Sequence, residues 1–554
     1  MPGTVHELLE KRAVDTPGKI ALIDDRRELS FAAWWRVSCH IASLLQKAGV
    51  RQGFVVGVVS DCSSFLPCTF TAISMLGAKF VSMNPDWPAQ ERMRVFSRWS
   101  DRLVLTADNI EYCSQPDEIT LSLDDDIYQG TGIPLEVPFL NGGEEFYLNV
   151  TSASTGQAKI APTTHDQLLA NTEGVTATMG LTCDDVNLSI FGVYGHPHEL
   201  FMRGLYLGGR TVLTEHRYPR DLLHLISKKG VTAIMALPTQ LISLSHMWNR
   251  IDTDLSSVRI SEAGGMFVSE EFAVNYTEIT GVELVPVWGS TETAGVGLVG
   301  KSGIQGFTSV VDGYEVELRD LSGNRMDEEG SGELWISGPG VVNRYLGDRP
   351  QTEEAFLDGW YRTGDMFKSE NGRLIFLGRR GGLIKAAGLK VYPLELELAI
   401  LKHPSIIDAC VVGRDHPTRG EMPSAYIVVR PGTELTVAGM RAFLRQYLDE
   451  YKIPRLINFV HGLPRTANGK IDRKAVGTRE LVPDFRGELL RSDVELVRLI
   501  NHRAALMNEI GGGFDPTWVD DQVDNAMGHN AGPISDSSIR DIIRFIISEL
   551  GKRQ

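Results

Sequence analysis

Thr151-Ser152-Ala153-Ser154-Thr155-Gly156-Gln157-Ala158-Lys159 is the stretch whose reading decides the fold. It follows the apolar run Phe146-Tyr147-Leu148-Asn149-Val150, which has the composition of a short buried strand. Four hydroxyl residues, one glycine and one lysine then arrive within nine positions. Hydroxyls and backbone N–H groups in such a loop donate to phosphate oxygens, and a lysine adds a point charge. A solvated Ser/Thr turn between two strands has the same composition, so this loop alone leaves both readings open.

A chain of 554 residues is too long for one core and predicts three or four domains. Its apolar fraction, 42%, is that of an ordinary globular protein, and its formal net charge of −16 argues against nucleic-acid binding through a global basic field. Cys39, Cys62, Cys68, Cys113, Cys183 and Cys410 form no Cys-x-x-Cys pair. That argues against a zinc site or a disulfide framework and fits a reducing compartment. No basic-then-apolar leader opens the chain. The most apolar stretch, residues 54–81, is interrupted by Asp61, Pro67 and Lys79, so it reads as strand–helix–strand and not as a membrane span. The expectation is a cytoplasmic protein without nucleic-acid or membrane partners.

In chain order, residues 5–12 predict a short amphipathic helix, 21–23 a strand, 31–49 a helix ending at glycine, and 55–59 a buried strand. Helix and strand signals alternate to about residue 340, the pattern of parallel sheets with crossover helices. From Asp365 onward the character changes, and a smaller α+β unit runs to about Lys474. Three further segments carry chemistry. Val287-Trp288-Gly289-Ser290-Thr291-Glu292 ends a strand in an aromatic face, two hydroxyls and a carboxylate able to hold Mg2+ through oxygen, though a capped strand end reads the same way. Trp360-Tyr361-Arg362-Thr363-Gly364-Asp365 leads into Gly378-Arg379 and Ile384-Lys385-Ala386-Ala387-Gly388. Last comes Pro464-Arg465-Thr466-Ala467-Asn468-Gly469-Lys470-Ile471-Asp472.

In order and spacing these segments resemble the acyl-adenylate-forming superfamily of acyl- and aryl-CoA ligases, luciferases and adenylation domains, over residues 5–474. The resemblance implies an α/β fold with a large multi-layer adenylation domain at 1–379 and a small mobile α+β domain at 380–480. It implies an acid–thiol ligase using ATP and Mg2+, with CoA or a phosphopantetheinyl carrier protein as thiol acceptor and a small carboxylic acid as substrate. Thr151, Ser152, Ser154, Thr155, Gly156 and Lys159 would hold the β- and γ-phosphates. Gly264 and Gly265 would lie beside the adenine, with Trp288, Gly289 and Ser290 flanking it. Thr291 would approach the α-phosphate, Glu292 would bind Mg2+, and Asp365 would accept from the ribose hydroxyls with Arg379 beside it. Lys470 would serve adenylation, and Lys385 and the thiol-channel Gly388 the second half-reaction. The loop departs from the family pattern at Ala153 and Ala158, and the hinge position falls on glycine in Arg380-Gly381-Gly382. The acyl pocket would be built from Gly192, Tyr194, Gly195 and His196. No aspartate stands there to pair with an α-amino group, and Gly192 replaces a histidine common in CoA ligases.

Beyond residue 480, Leu490, Val494, Val497, Ile500, Ala504, Met507 and Ile510 recur at three and four, predicting one long amphipathic helix ended by Gly511-Gly512-Gly513. A second helix follows Ser535, with Ile539, Ile542, Ile546 and Leu550 facing inward. Ser535-Asp536-Ser537-Ser538 lacks the Gly-Gly and the following chain of a carrier-protein site. Residues 483–554 resemble the all-helical chorismate mutases, with Arg486, Arg503 and Gln554 on that family's substrate-binding positions. Phe514, Trp518 and Val519 stand where its charged groups would be, which implies a vestigial site and a helical homodimer. The fusion suggests a chorismate-derived aromatic acid. A bifunctional enzyme that also converts chorismate or isochorismate, and an enzyme for a non-aromatic acid with a purely dimerising tail, remain the alternatives.

Overall fold

The computed structural model describes all residues except 1–2, 85–89, 91–94, 108–109, 111–118, 134–136, 151–158, 193, 195, 321, 327–328, 387–388, 417–419, 431–434, 466–470, 479–519, 521–522, 524–535 and 552–554. The chain divides into two units, Met1–Leu383 and Ile384–Gln554. Among the described residues no helix is long and apolar enough to cross a membrane.

Local sequence explains the first elements. The helix Val5–Asp15 starts at a capping box, in which the Thr4 hydroxyl accepts from the Glu7 N–H and the Glu7 carboxylate accepts from the Thr4 N–H. The helix Phe31–Lys47 starts on Ser30, whose hydroxyl accepts from the Ala33 N–H. The β-branched run Val55–Val59 is buried at every position and forms a central strand. Continuous apolar strands of this kind belong to sheets covered on both faces.

The first unit contains two sheets. One has six strands in the order Thr120–Leu123, Arg102–Ala107, Val55–Val59, Lys79–Ser82, Glu145–Val150 and Ile160–Thr164, parallel except for the last pair. The residues of the Ser/Thr-rich loop, 151–158, connect that last pair and lie outside the described residues. The larger sheet has fourteen strands. Its parallel part runs from Ile20–Ile23 through Arg210–Val212, Val186–Ser189, Ala233–Ala236 and Ile260–Ala263 to Glu283–Ser290. Beyond that strand every pairing is antiparallel. The predicted parallel pattern to residue 340 therefore stops at about residue 290. Short hairpin connections through glycines, such as the turns at Gly303 and Gly372, leave no room for crossover helices.

Glu283–Ser290 is the strand where the two halves of this sheet meet, parallel to Ile260–Ala263 on one side and antiparallel to Gly295–Lys301 on the other. Its carboxyl end delivers Trp288, Ser290, Thr291 and Glu292 to one edge. Parallel α/β sheets place ligands at this edge, outside the carboxyl ends of the strands.

The second unit holds a five-stranded sheet built on Ile406–His416 and Gly420–Val429. The helices Pro393–Leu401 and Val437–Leu444 pack on it through Leu396, Ile400, Met440 and Leu444. Arg473 anchors the helix Pro393–Leu401 to the strand Ile406–His416. Its guanidinium makes two bonds of 2.5 and 2.6 Å to the buried Glu397 and a third, of 3.1 Å, to the Val411 carbonyl. Glu397 in turn accepts from the Val411 N–H at 2.7 Å. Of the tail, only the helix Asp536–Gly551 and Asp520 and Val523 are described, so the long helix expected over residues 490–510 lies outside. Ile542 and Phe545 on the described helix are 48% and 65% exposed.

Arg473→Ala leaves the Glu397 carboxylate buried without its cation. Loss of one partner of such a pair costs on the order of 3 kcal/mol. The expected outcome is faster amide hydrogen exchange across Gly420–Val429, with exchange in Val55–Val59 unchanged.

Candidate nucleotide and acyl site

The centre of the site is a tight bend at residues 291–295. Ala294 adopts φ +55°, a left-handed conformation that costs a non-glycine residue about 1 kcal/mol, and Gly295 follows at φ +144°. Gly289 must lack a side chain, because a Cβ there would stand 2.2 Å from the Gly295 carbonyl oxygen. Buried hydrogen bonds hold the bend. Tyr314 Oη donates to the Thr293 carbonyl at 2.8 Å, and Asn171 Nδ2 donates to the carbonyls of Thr293 and Val296 at 3.3 and 2.8 Å. His198 Nε2 meets the Ala294 carbonyl at 3.1 Å, and the Val342 N–H donates to the Glu292 carbonyl at 2.9 Å. Five bonds at about 1 kcal/mol each outweigh the strain. Glu292 is thereby fixed with only 8% of its surface exposed, and its Oε1 accepts from Tyr345 Oη at 2.5 Å.

Asp365 comes from a different element. It lies on the strand Trp360–Glu370, directly opposite Arg379 in the antiparallel register with Arg373–Arg379. The carboxylate is 3% exposed. Trp288 Nε1 donates to Oδ2 at 2.8 Å. Arg379 Nε stands 2.6 Å from Oδ1, close enough for an ion pair, yet no aligned donor satisfies that oxygen. Burial raises the Asp365 pKa above the ordinary carboxylate value, against the opposing pull of Arg379 and Trp288. A buried acceptor with an open lone pair suits a sugar hydroxyl. The Trp288 ring packs edge-on to Phe367 at 6.1 Å and above Gly297, where a Cβ would lie 3.3 Å from it.

Gly264 and Gly265 sit at the carboxyl end of Ile260–Ala263. A Cβ on Gly264 would meet the Val287 side chain at 2.7 Å, and Gly265 has φ +74°. Lys159, the described end of the Ser/Thr-rich loop, places Nζ 4.6 Å from the centre of the Tyr345 ring. Thr151, Ser152, Ser154, Thr155 and Gly156 fall outside the described residues, as do Gly195, Gly388, Lys470, Arg486, Arg503 and Gln554. In the second unit, Lys385 is exposed on the strand Ile384–Ala386, and its N–H donates to Glu421 at 2.9 Å.

Of the residues expected around the acid, His196 lies close to a buried ionic cluster. His196 Nδ1 lies 3.4 Å from Asn149 Nδ2, and Tyr194 Oη donates to the Ser60 carbonyl at 3.1 Å. Arg203 bridges Glu199 at 3.1 Å and Glu262 at 2.5 Å, all three being more than nine-tenths buried. Burial works against the Arg203 charge, but Glu262 and Glu199 outweigh it and keep it protonated. Burial lowers the pKa of His196 and takes that of His198 down to about 4, so both imidazoles are neutral at physiological pH. Gly192, at φ +97° with open space where a Cβ would be, borders a cleft of about 280 Å³. Ser189, Thr239, Gln240 and Ser243 line it at the point where Val186–Ser189 pairs with strands on both sides.

Asn171, Tyr314, Tyr345 and Glu333 are absent from the residues expected from the sequence. Glu333 is 1% exposed and accepts from Arg362 Nε at 3.0 Å and from Arg380 Nη1 at 3.2 Å, tying the Asp365 strand to the turn Arg380–Gly382. The one sequence signal was an acid flanked by apolar residues in Gly332-Glu333-Leu334-Trp335, an unusual place for an unpaired charge.

Residues 9–346 match the family described as AMP-binding enzyme, and residues 395–470 match the AMP-binding enzyme C-terminal domain. The chain belongs to that family, and it is an acid–thiol ligase that forms an acyl-AMP. It is 27% identical to a "probable CoA ligase" of Humulus lupulus, over 82% of this chain and 89% of that one. It is also 27% identical to a naringenin synthase of Pestalotiopsis fici, over 95% of this chain but only 21% of that protein. The o-succinylbenzoate CoA synthetase of Bacillus subtilis, solved with its acyl-adenylate intermediate, superposes with a TM-score of 0.76 at 25% identity, over 87% of this chain and 99% of that one.

ATP and Mg2+ fit the donor set. Among the described residues no group of three or more His, Cys, Asp or Glu side chains could hold a metal by itself. A single buried carboxylate beside Ser290 and Thr291 is what Mg2+ requires when phosphates and water complete its shell.

Asp365→Asn keeps the shape and the Trp288 contact but removes the charge. ATP affinity is expected to fall by about tenfold to a hundredfold, the worth of charged hydrogen bonds to two hydroxyls. Because the folded pKa of Asp365 is raised, its ionisation destabilises the fold as pH climbs through the carboxylate range. The variant is therefore expected to lose less thermal stability than wild type between pH 4 and pH 7 (a calorimetric comparison), even as ATP binding weakens.

Proposed function

We propose that this chain activates an aromatic carboxylic acid of the chorismate-derived kind and passes it to the thiol of CoA or of a phosphopantetheinyl carrier protein. The observation that carries the adenylating half is the placing of two buried carboxylates at the carboxyl end of the Glu283–Ser290 strand: Asp365, bonded to Trp288 and paired with Arg379, and the strapped Glu292. One carboxylate suits a ribose, the other a metal-bound polyphosphate.

The reaction then proceeds in two balanced steps. An oxygen of the substrate carboxylate attacks the α-phosphorus of ATP, and pyrophosphate leaves with the electron pair of the α–β bond. A thiolate next attacks the acyl carbonyl, and AMP leaves with the pair of the C–O bond. Mg2+, held by Glu292, would neutralise charge on the phosphates. Thr291 would donate to the α-phosphate, the residues 151–156 and Lys159 to the β- and γ-phosphates, and Lys470 would stabilise the charge that builds at the α-phosphorus. Lys385 and Gly388 would serve the thiol step. Trp288, Gly264 and Gly265 would flank the adenine, and Gly192, Tyr194, Gly195 and His196 would surround the acid.

Three observations support an aromatic acid. Burial keeps the His196 and His198 imidazoles neutral, so the acid meets uncharged rings there. Gly192 leaves open the space a side chain would fill. The Bacillus subtilis enzyme of the same fold acts on o-succinylbenzoate. Adenylate formation is measured as ATP–pyrophosphate exchange across hydroxybenzoates, aminobenzoates, o-succinylbenzoate and short aliphatic acids. Exchange with aliphatic acids alone would remove the aromatic reading.

Lys470→Ala is expected to lower that exchange by about 10²–10³. Hydrogen exchange of the core should be unchanged. Near-normal exchange of pyrophosphate would refute the role of Lys470.

For the tail we infer a helical module that joins two copies of the chain, with Arg486, Arg503 and Gln554 marking a vestigial chorismate-type site. The repeat at Val494, Val497 and Ile500 and the exposed Ile542 and Phe545 support this reading. Ending the chain at Leu481 should convert a dimer to a monomer in light scattering while preserving adenylation. The same mass for both chains in monomeric form would end the dimer reading, and measurable prephenate from chorismate would overturn the vestigial site.

A further inference from the structure

Among the described residues, the Glu292 carboxylate has one side-chain hydrogen-bond partner, and no sequence motif pointed to it. Tyr345 is 4% exposed, and its hydroxyl donates to Glu292 Oε1 at 2.5 Å, the length of a charge-assisted O–H···O⁻ bond. The same ring receives the Lys159 ammonium on its face, 4.6 Å from the centre. Phe356 packs edge-on against it at 5.3 Å. The backbone around it is equally fixed. The Tyr345 N–H donates to Thr352 Oγ1 at 2.9 Å, and the next residue, Leu346, donates to the carbonyl of Ile160 at 2.8 Å. Ile160 opens the strand that leaves the Ser/Thr-rich loop. One side chain thus touches the end of the phosphate loop and the bend that carries the metal carboxylate.

We propose that Tyr345 is a positioning residue of the metal–nucleotide site: its hydroxyl locks the rotamer of Glu292 so that the carboxylate faces Mg2+, and its ring holds the Lys159 side chain alongside. The proposal rests on the reading of Glu292 as the metal carboxylate. Burial, and then the charge of Glu292, hold the phenol protonated far above the working pH. The contribution of Tyr345 is geometric: one bond to Glu292 Oε1 and one ring face to Lys159. A free glutamate side chain samples several rotamers, and ordering it at the moment of metal binding costs affinity. Groups that orient a metal ligand in this way typically change metal affinity by 10–100-fold when removed.

Tyr345→Phe deletes one oxygen and keeps the ring for Lys159 and Phe356. Mn2+ binding to the full chain is measured by electron paramagnetic resonance with α,β-methylene-ATP, beside a thermal melt and ATP–pyrophosphate exchange at saturating Mg2+. The expected result is a Kd for Mn2+ raised about tenfold, with KM for the acid and the pH profile unchanged and exchange at saturating Mg2+ within about threefold of wild type. Glu292→Gln is expected to weaken Mn2+ further, and Tyr345→Phe added to it to change nothing more, because the hydroxyl acts only through that carboxylate. Wild-type Mn2+ affinity in Tyr345→Phe, with Glu292→Gln weakened, would overturn the positioning role and leave the site assignment standing. Wild-type affinity in Glu292→Gln would instead sink the assignment itself. Additive effects in the double variant, or a Tm fall of more than about 5 °C in Tyr345→Phe, would make the tyrosine merely structural.

Discussion

A left-handed alanine governs the active edge of this protein. Ala294 can hold φ +55° only because buried donors from three separate parts of the chain converge on the carbonyls around it. Asn171 comes from the helix that follows the six-stranded sheet, His198 from the turn after Val186–Ser189, and Tyr314 from the connection between Ile304–Val310 and Glu315–Arg319. None of these donors is near the bend in sequence. The bend is therefore a product of the assembled unit, and the carboxylate at position 292 is fixed before any ligand arrives. Preorganisation of this kind is what lets a hard cation be held by one protein oxygen plus its phosphates.

The buried cluster of Arg203, Glu199 and Glu262 obeys a related constraint. Two glutamates and one arginine leave a formal surplus of negative charge in a dry place. The surplus is tolerable because burial pushes the Glu262 pKa upward, while at Glu199 the Arg203 charge outweighs burial and holds the carboxylate ionised. The cluster fixes the Pro197–Leu200 turn and the helix Met202–Leu207 against Ile260–Ala263, the strand that ends in Gly264-Gly265. Replacing the arginine alone would strand two carboxylates, whereas replacing all three with apolar residues could be neutral in stability.

Much of this was legible in the residues. The buried strand Val55–Val59 and the capped helices follow from periodicity and from Thr4 and Ser30, which act over three or four residues. Asp365 beside Arg379 was expected only from the family resemblance, and the two residues stand opposite each other across two antiparallel strands. What stayed hidden depends on contacts far apart in the chain. Nothing local to Tyr345 announces that its hydroxyl reaches Glu292, and nothing local to Asn171 marks it as a clamp on residues over a hundred positions away. The switch from parallel to antiparallel pairing near residue 290 was missed because strand alternation looks the same in either direction; only the lengths of the connections differ. Trp288 was expected as an adenine neighbour, but its N–H is committed to Asp365, a bond that no propensity predicts.

That last bond gives the molecule an optical property. An indole whose N–H is tied to a carboxylate, with its ring edge against Phe367, emits at an energy and intensity set by the charge beside it. Any ligand that takes over the open oxygen of Asp365 shifts electron density within hydrogen-bond distance of the chromophore. With Asp365 as the proposed ribose carboxylate, the nucleotide site carries its own fluorophore, and a chain keeping Trp288 while its other tryptophans are replaced by phenylalanine would report occupancy by its emission alone, with no added label.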